Sequence, residues 1–426
     1  MSGEERTHCS KIHNYNNLHF YKCYIPSFGS IILTSFCQLL NGNCLLLIAY
    51  CLLKMESGKR NSELLYQLAL TLVPNIGDVH AKILIQHYGQ ASDVFRSSQS
   101  LLEKIEGIGV IRARSIKRFV DFTIAEKEIV FIEKYNIQHL FITEKNYPQR
   151  LLNCYDPPAL LFYRGIADLN TSKVLAIVGT RNNTDYGKQF TEEMIKELSA
   201  EKILIVSGLA FGIDGIAHKA AIKNDLRTVG VVGHGLDTIY PEHHTNLAKD
   251  MVRNDGGILT QFRSKTQPDK HNFPIRNRIV AGLCDATIVV ESGIKGGSLI
   301  TAELANGYNR DVFAVPGRTI DNKSTGCNYL IKSNKAMLLT SASELLEIMG
   351  WQENTKQKSR RQKELFIDLS ADEKIIVDIL REKDLTHIDE INIQSGLSSS
   401  KAAAAILNLE LQGVIISLPG KLYKLA

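Results

Sequence analysis

The sequence predicts an α/β protein with a doubly wound, Rossmann-like parallel sheet at its core. From residue 172 onward, short β-branched runs end at a glycine or a small polar residue, and helical stretches separate them. Strands that are apolar along their whole length are buried on both faces, as in parallel sheets covered by helices. A helical region precedes this core, and a small unit of helices with a terminal hairpin follows it.

Five runs are predicted as strands of the core, namely KVLAIVG, ILIVSG, TVGVVG, ATIVVES and DVFAVPG. The helices between them are predicted at TEEMIKELSA, GIDGIAHKAAIKN and SLITAELANGYN. In such a sheet, ligands bind outside the carboxyl ends of the strands. The glycines that end the runs therefore mark the expected site.

Length and composition indicate a soluble protein of two or three domains. The chain has 426 residues, of which 44% are hydrophobic and 22% charged, and a net charge of +5. This mild charge does not by itself indicate a nucleic-acid-binding protein, so any basic footprint must be local. The cysteines after residue 54 (Cys154, Cys284 and Cys327) show no pairing or metal spacing, which predicts a reduced, cytoplasmic compartment.

We expect the following division of the chain. It comprises a non-native or disordered extension over 1–54, a helical, helix-hairpin-helix or SAM-like domain over 55–165, a Rossmann-like core over 166–350, a basic linker over 351–366 and a winged-helix domain over 367–426.

The extension is unusual because it holds five of the eight cysteines. Its segment 31–53 is long enough to cross a membrane, but the polar turn-formers NGN at 41–43 interrupt it, and no cleavage site for a signal peptide follows. We expect the native chain to begin at Met55 and to have no membrane partner. A membrane anchor and a disordered tail remain the alternatives.

The helical region contains two apolar-glycine turns, each placed before a helix with basic residues. The second, LEKIEGIGVIRARSIKRF, has Gly107 and Gly109 ahead of Arg112 and Arg114. Glycines at a helix N-terminus let backbone N–H groups approach a phosphate. The first turn has Asn75 in place of glycine, which weakens it as a phosphate site. A helical domain whose glycines serve packing alone is the alternative.

The last sixty residues predict a winged helix. Ser370 and Glu373 form a capping box before the first helix, two further helices follow, and the segment VIISLPGKLYKL predicts a hairpin. The third helix offers Lys401 and then mainly alanine and leucine, rather than side chains that read bases. Protein contact is therefore favoured over DNA reading here.

Small and basic residues collect where the predicted strands end, and they suit an anion such as phosphate. They are Gly179, Thr180, Arg181, Ser207, Gly208, Gly212, Lys295, Gly296, Gly297, Ser298, Gly317 and Arg318. Neither a dinucleotide fingerprint nor a P-loop follows the first strand, which reads VGTRNNT.

Other chemistry is not indicated. We interpret His218, His234, His243 and His244 as surface or helix-cap residues, because none forms a zinc pair with a carboxylate partner. Asp214 is interpreted as a helix-start residue rather than a base. The sequence thus predicts no catalytic residue, no metal and no cofactor.

Six motifs, in this order and spacing, resemble the DprA/Smf family of DNA-processing proteins: VGTRNNTDYG, SGLAFGIDGIAH, GLDTIYP, FPIRNRIVAGL, GGSLITAELA and VFAVPG. The resemblance covers about residues 60–426. It implies a non-enzymatic, dimeric protein that binds single-stranded DNA without sequence preference, protects it, and loads the RecA recombinase during natural transformation.

In that family the binding pocket is basic, and the resemblance carries its residues onto this chain. They are Arg181, Ser207, Gly208, Lys270, Phe273, Arg276, Asn277, Arg278 and the Lys295–Ser298 turn. Two features depart from the family pattern: Phe211 replaces a frequent basic residue, and Thr260–Gln261 replaces a Ser-Glu pair.

The segment KHNFPIRNRIVAGL raises a geometric question. We expect Pro274 to fix the turn and Lys270, Phe273 and Arg278 to face the pocket. Arg276 and Arg278 are two residues apart, so they cannot share one face of a helix, and one of them is expected to be structural.

Two alternative functions remain open. One is a nucleotide phosphoribohydrolase of the lysine-decarboxylase-like Rossmann group, for which KGGSLITAE keeps two glycines and Glu303 but lacks the rest of the motif. The other is a helix-hairpin-helix protein that binds duplex DNA and uses the sheet only as scaffold.

Overall fold

The computed structural model of the chain describes residues 8–15, 18–25, 29–34, 63–352, 369–383 and 385–426. The chain forms two compact units, 1–62 and 63–426. In the first, β1 (His8–Tyr15), β2 (Leu18–Ile25) and β3 (Gly29–Thr34) pair as an antiparallel sheet. Met55, most of segment 31–53 and nearly all of the predicted linker lie outside the described residues.

The second unit starts with a helical region. Its helices are α1 (63–70), α2 (Asp78–Tyr88), α3 (Ala91–Arg96), α4 (Gln99–Glu103), α5 (Gly109–Arg118) and α6 (Thr123–Lys134). Two hairpin turns join α1 to α2 and α4 to α5. Positive φ angles occur in both turns, at Asn75 (65°), Gly107 (85°) and Gly109 (61°). Within the described residues, no helix combines the length and the apolar character needed to cross a bilayer.

The first hairpin is turned towards the core. Asp78, the first residue of α2, accepts a hydrogen bond from Ala159 N at 3.1 Å. Lys82 Nζ donates to the carbonyl oxygens of Leu152 and Cys154 at 3.0 and 3.1 Å. These contacts fix α2 against the segment that leads into the main sheet.

The core is a nine-stranded sheet. Its strands are β4 (Gln138–Phe141), β5 (Leu160–Gly165), β6 (Val174–Val178), β7 (Leu204–Ser207), β8 (Thr228–Val231), β9 (Gly257–Thr260), β10 (Ala286–Val289), β11 (Asp311–Ala314) and β12 (Met337–Leu338). They lie in the order β12-β11-β10-β6-β7-β8-β9-β5-β4. The pairs from β12 to β9 are parallel, whereas β5 pairs antiparallel with both β9 and β4. The predicted doubly wound, Rossmann-like fold is confirmed.

Helices cover both faces of this sheet. They are α7 (Gln149–Leu152), α8 (Asp185–Glu197), α9 (Ile213–Lys223), α10 (Thr245–Arg253), α11 (Asn272–Leu283), α12 (Gly297–Gly307), α13 (Thr325–Lys332) and α14 (Ala342–Ile348). In β6, Val174, Ala176 and Val178 join one apolar cluster, whereas Leu175 and Ile177 join the other. Burial on both faces explains why the strand sequences are apolar without alternation.

The structure differs from the predicted division at residues 138–165. This part was expected in the helical domain, but β5 pairs with β9 in the main sheet, with Tyr163 opposite Leu259, and β4 pairs with β5. Antiparallel strands need no helical crossover. The alternation that predicts the other strands is therefore missing here.

The C-terminal unit is the predicted winged helix. It contains α15 (Ala371–Glu382), β13 (Thr386–His387), α16 (Ile388–Ser395), α17 (Ser399–Leu411), β14 (Ile415–Leu418) and β15 (Leu422–Leu425). The capping box between Ser370 and Glu373 is present. On α17, Leu407 and Leu411 are exposed, so the third helix presents an apolar surface.

Two buried ion pairs lie at the amino ends of the parallel strands, and one of them binds the winged helix. Arg150 binds Asp285, just before β10, through two hydrogen bonds of 2.6 and 3.0 Å. Arg310, just before β11, binds Asp389 of α16 at 2.5 Å. Asn153 donates to the other oxygen of Asp389 at 2.8 Å. We call this set the amino-edge network.

Candidate nucleic-acid interface

The strand order of the core reverses at β6. This strand pairs with β7 on one side and with β10 on the other, and the connections from β6 and β10 lead to opposite sides of the sheet. A crevice forms at the carboxyl ends of the strands at such a reversal. The loops that begin at Gly179, Gly208 and Ser292 surround it.

An arginine and an aromatic ring meet in this crevice. Arg181 follows β6 and is exposed, and its guanidinium carbon lies 5.4 Å from the centre of the half-buried Phe273 ring. Among the described residues, no carboxylate pairs with Arg181. Lys270, just before α11, is exposed as well. The crevice therefore has unneutralised positive charge beside a ring.

A buried carboxylate shapes the Arg181 loop. Glu291, at the end of β10, accepts a hydrogen bond from Thr184 N at 2.9 Å and another from the Thr184 hydroxyl. The Glu291 carbonyl also accepts from Thr180 N at 2.7 Å. Glu291 was not among the predicted site residues, although its position at a strand end next to a glycine loop could have indicated it.

The loop after β7 forms a tight turn over two buried charged residues, Asp214 and Arg276. Gly208 N donates to the Asp214 carboxylate at 3.1 Å. Arg276 lies beneath Gly208 so closely that a Cβ there would overlap its guanidinium, and Arg276 Nη1 donates to Val231 O at 2.5 Å. The turn thus needs glycine at 208. Ser207 is turned inward as well and donates to Ile177 O at 2.6 Å.

Burial shifts the pKa values of both residues. It lowers the pKa of Arg276 to about 10, Asp214 opposes that shift, and Arg181 adds to it. Burial raises the pKa of Asp214, and Arg276 lowers it again. Arg276 remains a cation at neutral pH, but it supports the turn from below and is only 5% exposed.

Arg278 lies elsewhere. Its guanidinium binds Asp78 of α2 at 2.5 Å and Gln261 Oε1 at 2.6 Å, and it also donates to the carbonyl oxygen of Asp156. The expectation that Arg278 faces the pocket is therefore not met in the structure. Arg276 and Arg278 do point in different directions, but both are buried and each has a supporting role.

The helix α11 includes Pro274, which we expected to fix the preceding turn. It starts at Asn272, so Pro274 lies in its first turn instead of in the preceding loop. Proline is tolerated there because the first N–H groups of a helix have no partner within the helix. Asn277 then reaches the β10 loop, where its side-chain amide donates to Gly297 O at 3.4 Å.

The loop after β10 is exposed at Lys295 and Gly297. Ser298 is buried and donates to the Ser292 hydroxyl at 2.8 Å, so its side chain closes the loop. Arg318, after β11, is exposed. The cations of the crevice rim are thus Arg181, Lys270, Lys295 and Arg318.

The second hairpin of the helical region is exposed at Gly107, Gly109 and Arg114. Arg112, in contrast, donates to the carbonyl oxygens of Asn75 and Gly107, both at 3.2 Å. Arg112 therefore joins the two hairpins, and its contacts are those of a structural residue.

Three of the four histidines interpreted as surface or helix-cap residues are buried. His244 does occupy the N-cap of α10, whereas for His218, inside α9, and for His234 the interpretation is corrected. His218 bonds Thr228 Oγ1 at 2.6 Å, and His244 bonds Leu209 O at 2.9 Å. His234 is 1% exposed. Burial lowers the pKa of His218 to about 3, with smaller contributions from His244 and Arg276. The spacing of apolar residues along the sequence does not predict that these histidines are buried.

Glu303, the residue of the alternative enzymatic function, lies in the middle of α12. It forms a surface ion pair of 3.2 Å with Lys335, which precedes β12. The pair neutralises the carboxylate at the surface, away from the crevice rim. No observation in the described part of the chain brings Glu303 to the strand ends.

Among the described residues, Asp285, His387 and Asp389 are the group whose ligand atoms lie close enough to share a metal ion, within 4.8 Å. Both carboxylates already bind guanidinium groups, those of Arg150 and Arg310. Arginine thus supplies the positive charge that a metal would bring.

Comparisons with known proteins agree with this architecture. The family model for DNA recombination-mediator protein A matches residues 138–350, half of the chain, and the model for the DprA winged helix domain matches 363–421. Protein Smf of Synechocystis is 32% identical over 401 residues, which cover 85% of this chain and 99% of that protein.

A second relative, the DNA processing protein DprA of Streptococcus pneumoniae, is 39% identical over 264 residues, covering 59% of this chain and 93% of its own. The X-ray structure of DprA from the same species superposes with a TM-score of 0.56 at 35% identity, covering 66% of this chain and 95% of that one. The motifs, the fold and these matches agree, and the chain belongs to the DprA/Smf family of DNA-processing proteins.

Proposed function

We propose that this chain binds single-stranded DNA without sequence preference at the carboxyl edge of its parallel sheet. The observation that carries the proposal is the exposed Arg181 guanidinium, 5.4 Å from the Phe273 ring, where the strand order reverses. Lys270, Lys295 and Arg318 extend the positive rim.

The pairing of cations with a ring favours a single strand over a duplex. Cations bind the phosphate backbone, which is the same in every sequence, and a ring can stack on any base. In a duplex, neighbouring pairs cover both faces of each base. A strand with unpaired bases can use both parts of the crevice at once.

The contact set that we propose is narrower than the set predicted from the sequence. Arg181, Lys270 and Phe273 contact the strand, and the backbone of Gly179, Gly208 and Gly297 lines its path. Arg276 and Arg278 act from within the protein, because each is buried and already bonded. We assign no catalytic role to the site.

We further propose that the protein acts as a homodimeric recombination mediator, which protects incoming single strands and loads RecA in natural transformation. The description of the matching family, DNA recombination-mediator protein A, supports a mediator role. RecA loading would be checked by the rate of RecA filament formation on single-stranded DNA with and without the protein, and the dimer by light scattering.

The central test is Arg181→Ala, measured by fluorescence anisotropy with a labelled oligo-dT over a series of salt concentrations. We expect about tenfold weaker binding, because one charge-assisted contact to phosphate is lost. The slope of log affinity against log salt should become shallower by about 0.7 for each phosphate contact removed.

The matched control is Arg164→Ala. Arg164 is exposed on β5, at the antiparallel end of the sheet, and its loss changes the net charge equally. Equal effects of the two substitutions, or binding by Arg181→Ala that matches the unmodified protein, would show that the crevice is not the binding site.

A further inference from the structure

Two large rings stand exposed at the crevice without a role in the predicted site. Phe211, in the loop after β7, is 42% exposed, and Tyr240, in the loop after β8, is 46% exposed. Burying an aromatic side chain is favourable, so two half-exposed rings beside a cationic crevice call for an explanation.

Phe211 is held in place from below. Its ring centre lies 5.3 Å from that of the buried His244 and 5.9 Å from that of His243. The next residue, Gly212, has φ of 75° and packs against the carbonyl oxygens of Thr180 and Arg181. Phe211 is therefore fixed on its histidine support, directly beside the Arg181 loop.

Tyr240 is fixed on the other side. Its ring centre lies 6.0 Å from that of Phe273, with 31° between the planes. Its backbone N–H donates to His234 Nε2 at 3.2 Å. Phe273 itself packs against Gly233, and the Arg181 guanidinium lies over its ring. Tyr240 thus continues the row that Arg181 and Phe273 begin.

The charges around Tyr240 indicate what it can contact. Asp237 and Glu242, on either side in the sequence, are exposed. These acids disfavour phosphate near Tyr240 but do not disfavour a neutral base. The rings are thus suited to bases, and the phosphates are left to Arg181 and Lys270.

We propose that Phe211 and Tyr240 are two further base-stacking positions, which extend the site beyond Phe273 on both sides of Arg181. The ligand is a single strand with several consecutive unpaired bases. This inference rests on the proposed function. It adds that the rings of Phe211 and Tyr240 contact bases of the strand and not its phosphates.

The test uses Phe211→Leu and Tyr240→Leu in the full chain, with two ligands of equal length, oligo-dT and an abasic oligonucleotide. Each substitution should weaken oligo-dT binding at least about fivefold, from a lower bound of about 1 kcal/mol per stacked base. Abasic binding and the salt slope should stay unchanged, because no phosphate contact is removed.

Three further variants control the result. Phe211→Tyr and Tyr240→Phe keep the rings and should bind oligo-dT as the unmodified protein does. Tyr135→Leu removes another ring that is 42% exposed, next to Phe131 on α6, and should have no effect on either ligand.

The outcomes separate this inference from the proposed function. If Arg181→Ala weakens binding but both leucine variants bind oligo-dT normally, the stacking positions are wrong and the crevice stands. Equal losses for oligo-dT and the abasic strand would also overturn the inference, because the rings would then not contact bases. If Arg181→Ala has no effect either, both proposals fail.

Discussion

The two edges of the parallel sheet carry arginines in very different surroundings. At the amino edge, Arg150 and Arg310 are buried, and each binds an aspartate at 2.6 Å or less. At the carboxyl edge, Arg181 is exposed, and its guanidinium lies over the Phe273 ring.

The difference shows how one side chain serves two purposes in one domain. A guanidinium that is buried and paired fixes the geometry of its surroundings, here the seat of the winged helix. A guanidinium without a carboxylate partner keeps its attraction for an incoming anion. The following predictions test this contrast.

The largest effect is expected at the amino edge, from Arg310→Ala. The change leaves Asp389 buried without its cation, and loss of one partner of a buried pair costs about 3–5 kcal/mol of unfolding free energy. Urea denaturation would measure it, and the salt slope of DNA binding should not change. Arg227→Ala is the control, because Arg227 forms an exposed pair with Asp255. If Arg310→Ala lost no more unfolding free energy than Arg227→Ala, the structural role that we assign to the buried arginines would be wrong.

The second prediction concerns acid, which acts on the buried His218 between α9 and β8. Burial lowers the pKa of His218 to about 3, from 6.5 in the unfolded chain. Between these values the unfolded chain binds a proton that the folded chain does not, so stability falls as the pH falls below 6.5. The contribution of His218 is up to about 1.4 kcal/mol per pH unit.

This acid effect can be assigned by comparing the unmodified protein with His218→Gln. Urea midpoints measured from pH 7 to pH 5 should decline less steeply in the variant, because its side chain takes up no proton. Parallel declines would show that His218 does not govern the acid response.

The smallest effect is expected from Glu303→Gln, which breaks an exposed pair with Lys335. Exposed ion pairs contribute little, so the urea midpoint should stay within the scatter of repeat measurements, and DNA binding should not change. The same variant tests the enzymatic alternative. Release of a base from a nucleoside monophosphate by the unmodified protein, abolished in Glu303→Gln, would support that alternative over our proposal.

The sequence predicted the structure correctly where the local backbone conformation requires a particular residue type. Glycines at 179, 208 and 317 end apolar runs, and each does follow a parallel strand. The capping box of Ser370 and Glu373 could be predicted for the same reason. Strand β12 was missed because it is two residues long. Strand β9 is as long as β7 and β8, but it ends at Thr260–Gln261 and not at a glycine.

The parts that could not be predicted depend on contacts between distant residues. Asp78 and Arg278 are separated by 200 positions, so nothing near Arg278 in the sequence indicates its partner. The burial of His218 and His244 has the same origin. The exposure of the Phe211 ring beside the Arg181 loop also depends on a distant contact, because the next residue, Gly212, packs against Thr180 and Arg181.

The bonds of Arg278 have a consequence for dissecting this protein by truncation. A deletion of the whole segment 55–165 would remove Asp78 and Asp156 and would strip β9 of its neighbour β5. Lost DNA binding would then report a damaged core instead of a missing helical contact. A cut ending before residue 138 would keep the sheet whole and would remove Asp78 alone, so Arg278 would retain its bonds to Asp156 and Gln261. Such a shortened protein would show what the helical region itself contributes.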